Sequence, residues 1–387
     1  QLFGNRFRII VRNAGATIRQ RQQGGGQCEE SACNDADARL EFQAAIRSVR
    51  SKGFINYIGM QRFGKGGVRS DLVGRAYLQR DYLRCIDLIF FGPPDGSNAS
   101  SRVKRPMTPR WAEAFRNTWS ADAALRQMPQ HGHGQSRVWV ERRLLVALRR
   151  LQQDTDGTLD ATDTWEDLCR LAFLSLPRGI RMLYAYAYLD RIWNLCASER
   201  AALGLEAPIA GDLVWLDREA QTARPLEPHE LGSHSIFDVL LPRPGQLVQM
   251  PKNEVGELMR RYLSYDLDGG AEELSVEISQ DEECPFPIHG SYRTLLERPG
   301  KLRWTFQREP GDSSVKEHGS LGQGCKAFGS DSYEVRLAFE LRRGTYATML
   351  LRELMRPRAN GSANGLSKDT GAGRGIPRHV VWASEDE

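Results

Sequence analysis

A chain of 387 residues carries 53 basic and 49 acidic side chains, a formal balance of +4, with 40% of residues apolar. At roughly 150 residues per domain the length suits two or three domains, and no stretch approaches the ~18 uninterrupted apolar residues of a membrane-spanning helix. Seven cysteines in a chain this long exclude the dense disulfide framework of a small secreted scaffold, so free thiols and a nuclear or cytoplasmic setting are expected.

The chain opens Gln1-Leu2-Phe3-Gly4, without an initiator Met, and runs straight into an alternating pattern. Phe7, Ile9 and Val11 fall on one face and Arg6, Arg8, Ile10 and Arg12 on the other, which predicts a half-buried strand over 5–12. Asp35 or Asp37 caps a predicted helix carrying Leu40, Ala44 and Val49 to a stop at Gly53. The run Gly53 to Gly64, GFINYIGMQRFG, has no clean period and reads as a strand end turning into a loop. Between residues 102 and 150, eleven basic side chains face three acids, with Trp111, Phe115, Trp119 and Trp139 interleaved. Cations beside aromatic rings suit RNA, where phosphate neutralisation and base stacking combine; a solvated helix face gives the same pattern.

An amphipathic helix is predicted over Arg137 to Gln153 and another from Met182 to Leu203, closed by Gly204. Short strands are expected at Asp212–Leu216, Phe237–Leu241 and Leu247–Met250, then around Leu302, Trp304 and Phe306 and along Val335 to Leu341. Thr345 is placed as the cap of a helix Tyr346–Met355, Glu309–Gly329 as a loop, and Pro357 onward as a disordered tail. Strands and helices in irregular order argue for an α+β architecture.

Familiar chemistries find little support. Cys28 and Cys33 lack a second ligand pair, His131-Gly132-His133 sits in a Gly/Gln-rich stretch, and Gly24–Gly26 lacks the Lys-Ser/Thr ending of a phosphate loop. The run from Gly53 to Gly64 is the richest candidate. Its amides, guanidinium and rings suit the edge of an extruded base and its flanking phosphates, and they equally suit a glycine-rich structural turn.

That run also closely resembles the signature of the TruD-type RNA pseudouridine synthases. Further blocks follow the family's order. Asn5-Arg6-Phe7-Arg8-Ile9-Ile10-Val11-Arg12-Asn13 is similar to the strand before the signature, and Tyr184 to Asn194, ending Ile192-Trp193-Asn194, to a helix of the inserted domain. Gly290-Ser291-Tyr292-Arg293 with Arg298-Pro299 and Trp304 matches the re-entry into the catalytic fold, and Gly344 to Leu354 matches the last motif. The length of the middle segment is similar to that of eukaryotic members.

The resemblance implies a catalytic domain with a mixed, mainly antiparallel sheet, split by an inserted α/β TRUD domain. Residues 1–69 and 286–356 would form the catalytic part, 70–285 the insert, and 357–387 the tail. It implies cofactor-free isomerisation of uridine to pseudouridine, in tRNA or in small nuclear and messenger RNA; a monomer is the simpler expectation. Asn56, Tyr57, Ile58, Gln61, Arg62 and Phe63 would bind RNA, with Tyr292 and Arg293 behind them. Ile58 stands where family members usually carry Phe or Tyr. The family's nucleophilic Asp sits in a Lys-Asp block just before the first strand; no such block precedes Asn5 here, so the nucleophile is expected upstream of Gln1. Asp71 and Asp190 look like exposed carboxylates in other contexts. Arg352 either pairs with the nucleophile and keeps it ionised or belongs to an ordinary helix surface. The alternative for the whole chain is a non-catalytic RNA-binding module.

Overall fold

The structure is a computed structural model, which describes residues 4–12, 35–64, 68–93, 108–129, 138–154, 165–267, 288–308, 333–355 and 380–383. The readings on Gly24–Gly26, Cys28, Cys33, His131, His133 and Glu309–Gly329 lie outside the described residues, as does the proposed tail except Val380–Ala383. In chain order the described strands are β1 (Gly4–Val11), β2 (Phe54–Ile55), β3 (Leu213–Asp217), β4 (Thr222–Pro225), β5 (Leu240–Arg243), β6 (Ser291–Thr294), β7 (Leu296–Glu297), β8 (Gly300–Arg308), β9 (Tyr333–Arg342) and β10 (Val380–Ala383). The chain divides into two compact units, Gln1–Tyr57 with Leu296–Glu387, and Ile58–Leu295.

The first unit is a four-stranded antiparallel sheet in the order β10-β1-β9-β8. The alternation along β1 sends Ile9 and Val11 into the core, and the register sets Phe7 opposite Phe339, their rings stacked at 5.3 Å. Helix Asp35–Lys52 covers the sheet with Phe42, Ala45, Ile46 and Val49. It stops at Gly53, whose φ of 68° is the left-handed geometry that ends helices and that glycine adopts without strain. Helix Ala347–Leu354 adds Met349, Leu350, Leu351 and Leu354 to the same core. Its cap position is Tyr346, without a side-chain hydrogen bond, so the expected Thr345 cap is not formed. A separate two-stranded ribbon pairs β2 with β7.

The second unit begins as helices. Ser70–Leu78, Tyr82–Phe91, Arg110–Thr118, Ala121–Gln127, Trp139–Asp154 and Trp165–Leu174 precede the 25-residue helix Arg178–Ala202. Ser70–Leu78 crosses this long helix so closely that a Cβ on Gly74 would lie 1.9 Å from the Tyr184 carbonyl oxygen. A sheet in the order β4-β3-β5-β6 and helix Glu254–Asp266 complete the unit. The run Leu247–Met250 is not a strand; the amides of Gln246 and Leu247 donate instead to the carbonyls of Ile288 and His289. Asp71 and Asp190, expected to be exposed, are both buried. Trp111 and Phe115 are buried as well, which leaves Trp119 and Trp139 as the exposed rings of the basic segment.

Arg200 and Asp212 are locked together in the interior, their side chains 0% and 1% exposed. The Arg200 guanidinium donates to both carboxylate oxygens and to the carbonyls of Gly204 and Ala207, while Ile209 N–H and Asn253 Nδ2 also donate to Asp212. A buried ion pair is tolerated when its remaining donors and acceptors are met in this way.

This packing makes two outcomes testable. Gly74→Ala gains about 1 kcal/mol of helix propensity but must separate two backbones, so a net loss of about 2 kcal/mol is expected in urea unfolding. The thiols of Cys85, Cys169 and Cys196 are buried, and desolvation pushes Cys169 and Cys196 up to about 12. Iodoacetamide at pH 8 is therefore expected to spare all three until denaturant is added, as read by mass spectrometry.

Candidate functional site

The glycine-bounded segment from Gly53 to Gly64 falls partly in each unit. In the first unit Asn56 is buried and Tyr57 packs half-buried against the sheet core. Arg352 belongs to this unit too and stands exposed on its helix, with buried leucines on either side in sequence.

In the second unit the segment is held by the long helix. Ile58 N–H donates to Asn194 Oδ1 at 2.8 Å, and Asn194 Nδ2 donates back to the Ile58 carbonyl at 3.0 Å. One amide side chain thus replaces the strand partner that this stretch of backbone lacks. The Ile58 side chain is 2% exposed, so its contacts are core contacts. A 3₁₀ turn, Met60–Phe63, follows; it buries Phe63 and leaves Met60 and Gln61 exposed.

Arg62, on that turn, reaches Asp190, four residues before Asn194 on the same helix. Its Nε donates to Asp190 Oδ2 at 2.6 Å. From β5, Arg243 Nε lies 2.5 Å from the other oxygen, an ion pair without hydrogen-bond alignment. Asp190 is 1% exposed, against 24% for Arg62 and 27% for Arg243. A fully desolvated carboxylate is therefore met by two guanidiniums that remain partly in water. Their Nη groups make no hydrogen bond among the described residues, so each cation keeps donors for an outside acceptor.

Aromatic rings support both Arg243 and its neighbour Arg293. Arg243 lies 5.4 Å from the centroid of Tyr186, and Arg293, on β6, lies 5.4 Å from Trp193. Trp193 is fully buried and anchored by its Nε1, which donates to the Leu241 carbonyl at 3.1 Å. Tyr292, next to Arg293, braces the backbone instead. Its hydroxyl oxygen accepts from Gln249 N–H at 2.6 Å, its ring meets Trp215 edge-on, and burial raises its pKa.

The next carboxylate repeats the arrangement. Asp71 accepts from Arg69 Nε and Nη2 at 2.9 and 2.6 Å and from Arg191 Nη1 at 3.3 Å. Asp71 is buried, and its two arginines are 32% and 44% exposed. Among the described residues no group of three His, Cys, Asp or Glu side chains is placed to hold a metal, and no helix is long and apolar enough to cross a membrane.

The second unit thus gathers Ile58, Arg62, Phe63 and Arg293 around one helix, while Asn56, Tyr57 and Arg352 belong to the first. Sequence reasoning missed Asn194 and Arg243. Asn194 closed a quoted motif without an assigned role, and Arg243 gave no signal beyond its place between two prolines.

The family model for tRNA pseudouridine synthase D (TruD) matches residues 1–354. The chain belongs to the TruD family. It is 31% identical to the human pseudouridylate synthase PUS7L over 92% of its own length and 45% of that protein. It is 28% identical to multisubstrate pseudouridine synthase 7 of Schizosaccharomyces pombe, over 92% of the chain and 49% of the relative. With a Thermococcus gammatolerans protein named probable tRNA pseudouridine synthase D it shares 27% identity, covering 69% of that protein. The chain therefore spans about half the length of the eukaryotic relatives it matches. A solved TruD structure from Methanosarcina mazei superposes with a TM-score of 0.59 at 19% identity, covering 92% of this chain and 69% of that one. The α+β fold inferred from the sequence is the fold of the family.

Asp190 is expected to be the electrostatic keystone of this family member's second unit. Asp190→Asn removes the charge but keeps the size, and leaves two guanidiniums without a counterion. Because both are partly solvated, the loss is expected at about 3–4 kcal/mol, the lower part of the range for a broken buried pair, measured as a shift in the urea midpoint.

Proposed function

We propose that this chain carries the RNA-binding surface and the isomerising framework of an RNA pseudouridine synthase. The observation that supports it most is the Asp190 cluster, where one buried acid holds Arg62 and Arg243 at the signature turn with their outer nitrogens still available. Phosphate accepts the same planar, paired hydrogen bonds from guanidinium as carboxylate does. Arg69 and Arg191 around Asp71 offer the same device again.

On this reading the substrate uridine leaves its stack, the N-glycosidic bond breaks after a carboxylate attacks, and the uracil turns so that its C5 rejoins the ribose. No cofactor is required, because the change is an isomerisation without net oxidation: the carboxylate departs as C5 bonds to the ribose, the C5 proton passes to solvent and N1 takes one up. The protein's share is to hold the flipped nucleotide and neutralise its phosphates. Arg62 and Arg243 take the phosphates; exposed Gln61 offers an amide to the base edge; Ile58 fixes the backbone through its clasp with Asn194. Asn56, Tyr57 and Phe63 shape the segment from within. Arg293 extends the cationic surface, and Tyr292 supports the strand beside it. Arg352 is the candidate partner of the nucleophile.

We assign that nucleophile to neither Asp71 nor Asp190, since each is shut from solvent and committed to two guanidiniums. The Lys-Asp block that the family places before β1 is the expected source. The unit built from both ends of the chain is the catalytic part and the Ile58–Leu295 unit the insert. Transfer RNA is the first substrate to test, with small nuclear and messenger RNAs next; a monomer and a nuclear or cytoplasmic site complete the proposal.

The chain as it stands is expected to bind tRNA with strong salt dependence and to release no tritium from RNA labelled at uridine C5. Arg62→Ala combined with Arg243→Ala should weaken binding at least tenfold and flatten the slope of log affinity against log salt by about 2, one per phosphate contact. Label release by this chain alone would overturn the assignment of the nucleophile. An unchanged slope in the double variant would remove both arginines from the interface.

A further inference from the structure

Outside the Asp190 cluster, the second unit contains a cavity of about 250 Å³ lined by Phe91, Phe115, Trp119, Trp165 and Cys169 among others, with Asp81, Arg84 and Asp87 at its polar side. An engineered cavity of roughly 150 Å³ already admits benzene, so this one has room for a single flat heterocycle. Trp119 and Trp165 form two walls at right angles, their centroids 5.6 Å apart and their planes at 84°. Phe115 lies 6.0 and 6.1 Å from these two rings.

Trp119 is placed there at a cost. It ends helix Arg110–Thr118 with a φ of 54°, left-handed geometry that normally goes to glycine. Its backbone is pinned on both sides: its N–H donates to the Phe115 carbonyl at 2.7 Å, and its own carbonyl accepts from Gln152 Nε2 at 2.7 Å. Burial gives little in return, because the Trp119 side chain remains 55% exposed. Strain held in place by surrounding contacts, at an exposed aromatic on the edge of a cavity, is the pattern of a binding residue.

The polar groups narrow the ligand. Asp81 uses one oxygen to cap helix Tyr82–Phe91 and Asp87 one oxygen to bind Arg84, so among the described residues each keeps an acceptor oxygen. The Arg116 guanidinium sits 4.4 Å over the ring of Phe91, which lines the same cavity. Flat walls, carboxylate acceptors and a nearby guanidinium together suit a ring that bears an amino group, carried on a phosphate.

We infer that this cavity receives one unstacked, amino-bearing nucleobase of bound RNA, adenine before cytosine, at a subsite separate from the signature turn. The inference rests on the RNA-binding reading above. Uracil offers one N3–H where an exocyclic amine offers two hydrogens, so it can meet only one of the two carboxylates. An apolar peptide side chain would leave both carboxylates unused, and a methylated ammonium ion would offer no flat face to stack on the rings.

The test uses the full chain and short abasic ribose oligonucleotides that contain one central adenosine, one central uridine, or no base. Fluorescence anisotropy at low salt is expected to show about a tenfold gain for adenosine over the abasic strand, in line with stacking of one base, and little gain for uridine. Trp119→Gly relieves the left-handed strain, so circular dichroism should show a folded protein. This variant is expected to lose the adenosine gain while keeping the abasic affinity. An adenosine gain that persists in Trp119→Gly, an absence of gain in the wild type, or an equal gain for uridine overturns the subsite. A gel shift with tRNA separates the two readings. Binding of tRNA without any single-base gain sinks the cavity proposal alone, whereas failure of the wild type to bind tRNA sinks the RNA reading on which it rests.

Discussion

The second unit turns on a carboxylate taken out of water. Asp190 is buried on the long helix Arg178–Ala202, and an unpaired ionised acid there would cost on the order of several kcal/mol. It is kept by Arg62 from the signature turn and Arg243 from the β5 strand. The requirement runs in both directions. The acid needs two cations, and the two cations, brought from distant parts of the sequence, are fixed in place by one acid. The turn that carries Arg62 makes few backbone bonds of its own, so its geometry is largely dictated by this pair and by the Asn194 clasp four residues further along the helix.

Comparison with Arg200 and Asp212 shows what is particular about this arrangement. There, one acid meets one guanidinium, neither is exposed, and neighbouring carbonyls and amides take up the remaining valences. Such a pair is finished; it has nothing left to offer a ligand. At Asp190 and Asp71 the acid is equally buried, but two cations share each of them and remain partly in solvent. The excess positive charge stays at the surface. The closed ion pair and the two open clusters therefore differ in stoichiometry and exposure, not in residue type.

Much of the fold was legible because its elements follow simple periods. The β1 alternation of Phe7, Ile9 and Val11 holds in the structure, and the helix ending at Gly53 stops where a left-handed glycine must stand. What was not legible was burial of charge. The long helix is packed on several sides, so it shows no polar face against which Asp190 stands out, and its neighbour Arg191 gives the pair the look of a surface. The β4 strand escapes notice because Arg224 and Pro225 are poor signals for a strand, and Leu247 imitates one because its amide bonds to a loop carbonyl. In the basic segment the interleaved rings look like one set, yet the helix faces divide them into buried Trp111 and Phe115 and exposed Trp119 and Trp139. The Asn194 clasp requires knowledge of which backbone will lack a partner, and no local pattern carries that.

The chain carries 45 arginines against eight lysines, and within these clusters the choice of arginine has a physical consequence. A lysine at position 62 or 243 would bring the same charge to Asp190, but as a compact, strongly hydrated point; satisfying the acid would consume it. A guanidinium spreads its charge over three nitrogens and its donors over two edges, so one edge can neutralise a buried carboxylate while the other remains open to an anion outside. The interior of the unit and its surface are thus joined through the same side chains. On the proposed reading, a polyanion would meet cations whose positions are already set by folding, with the entropy of arranging them spent before the ligand arrives.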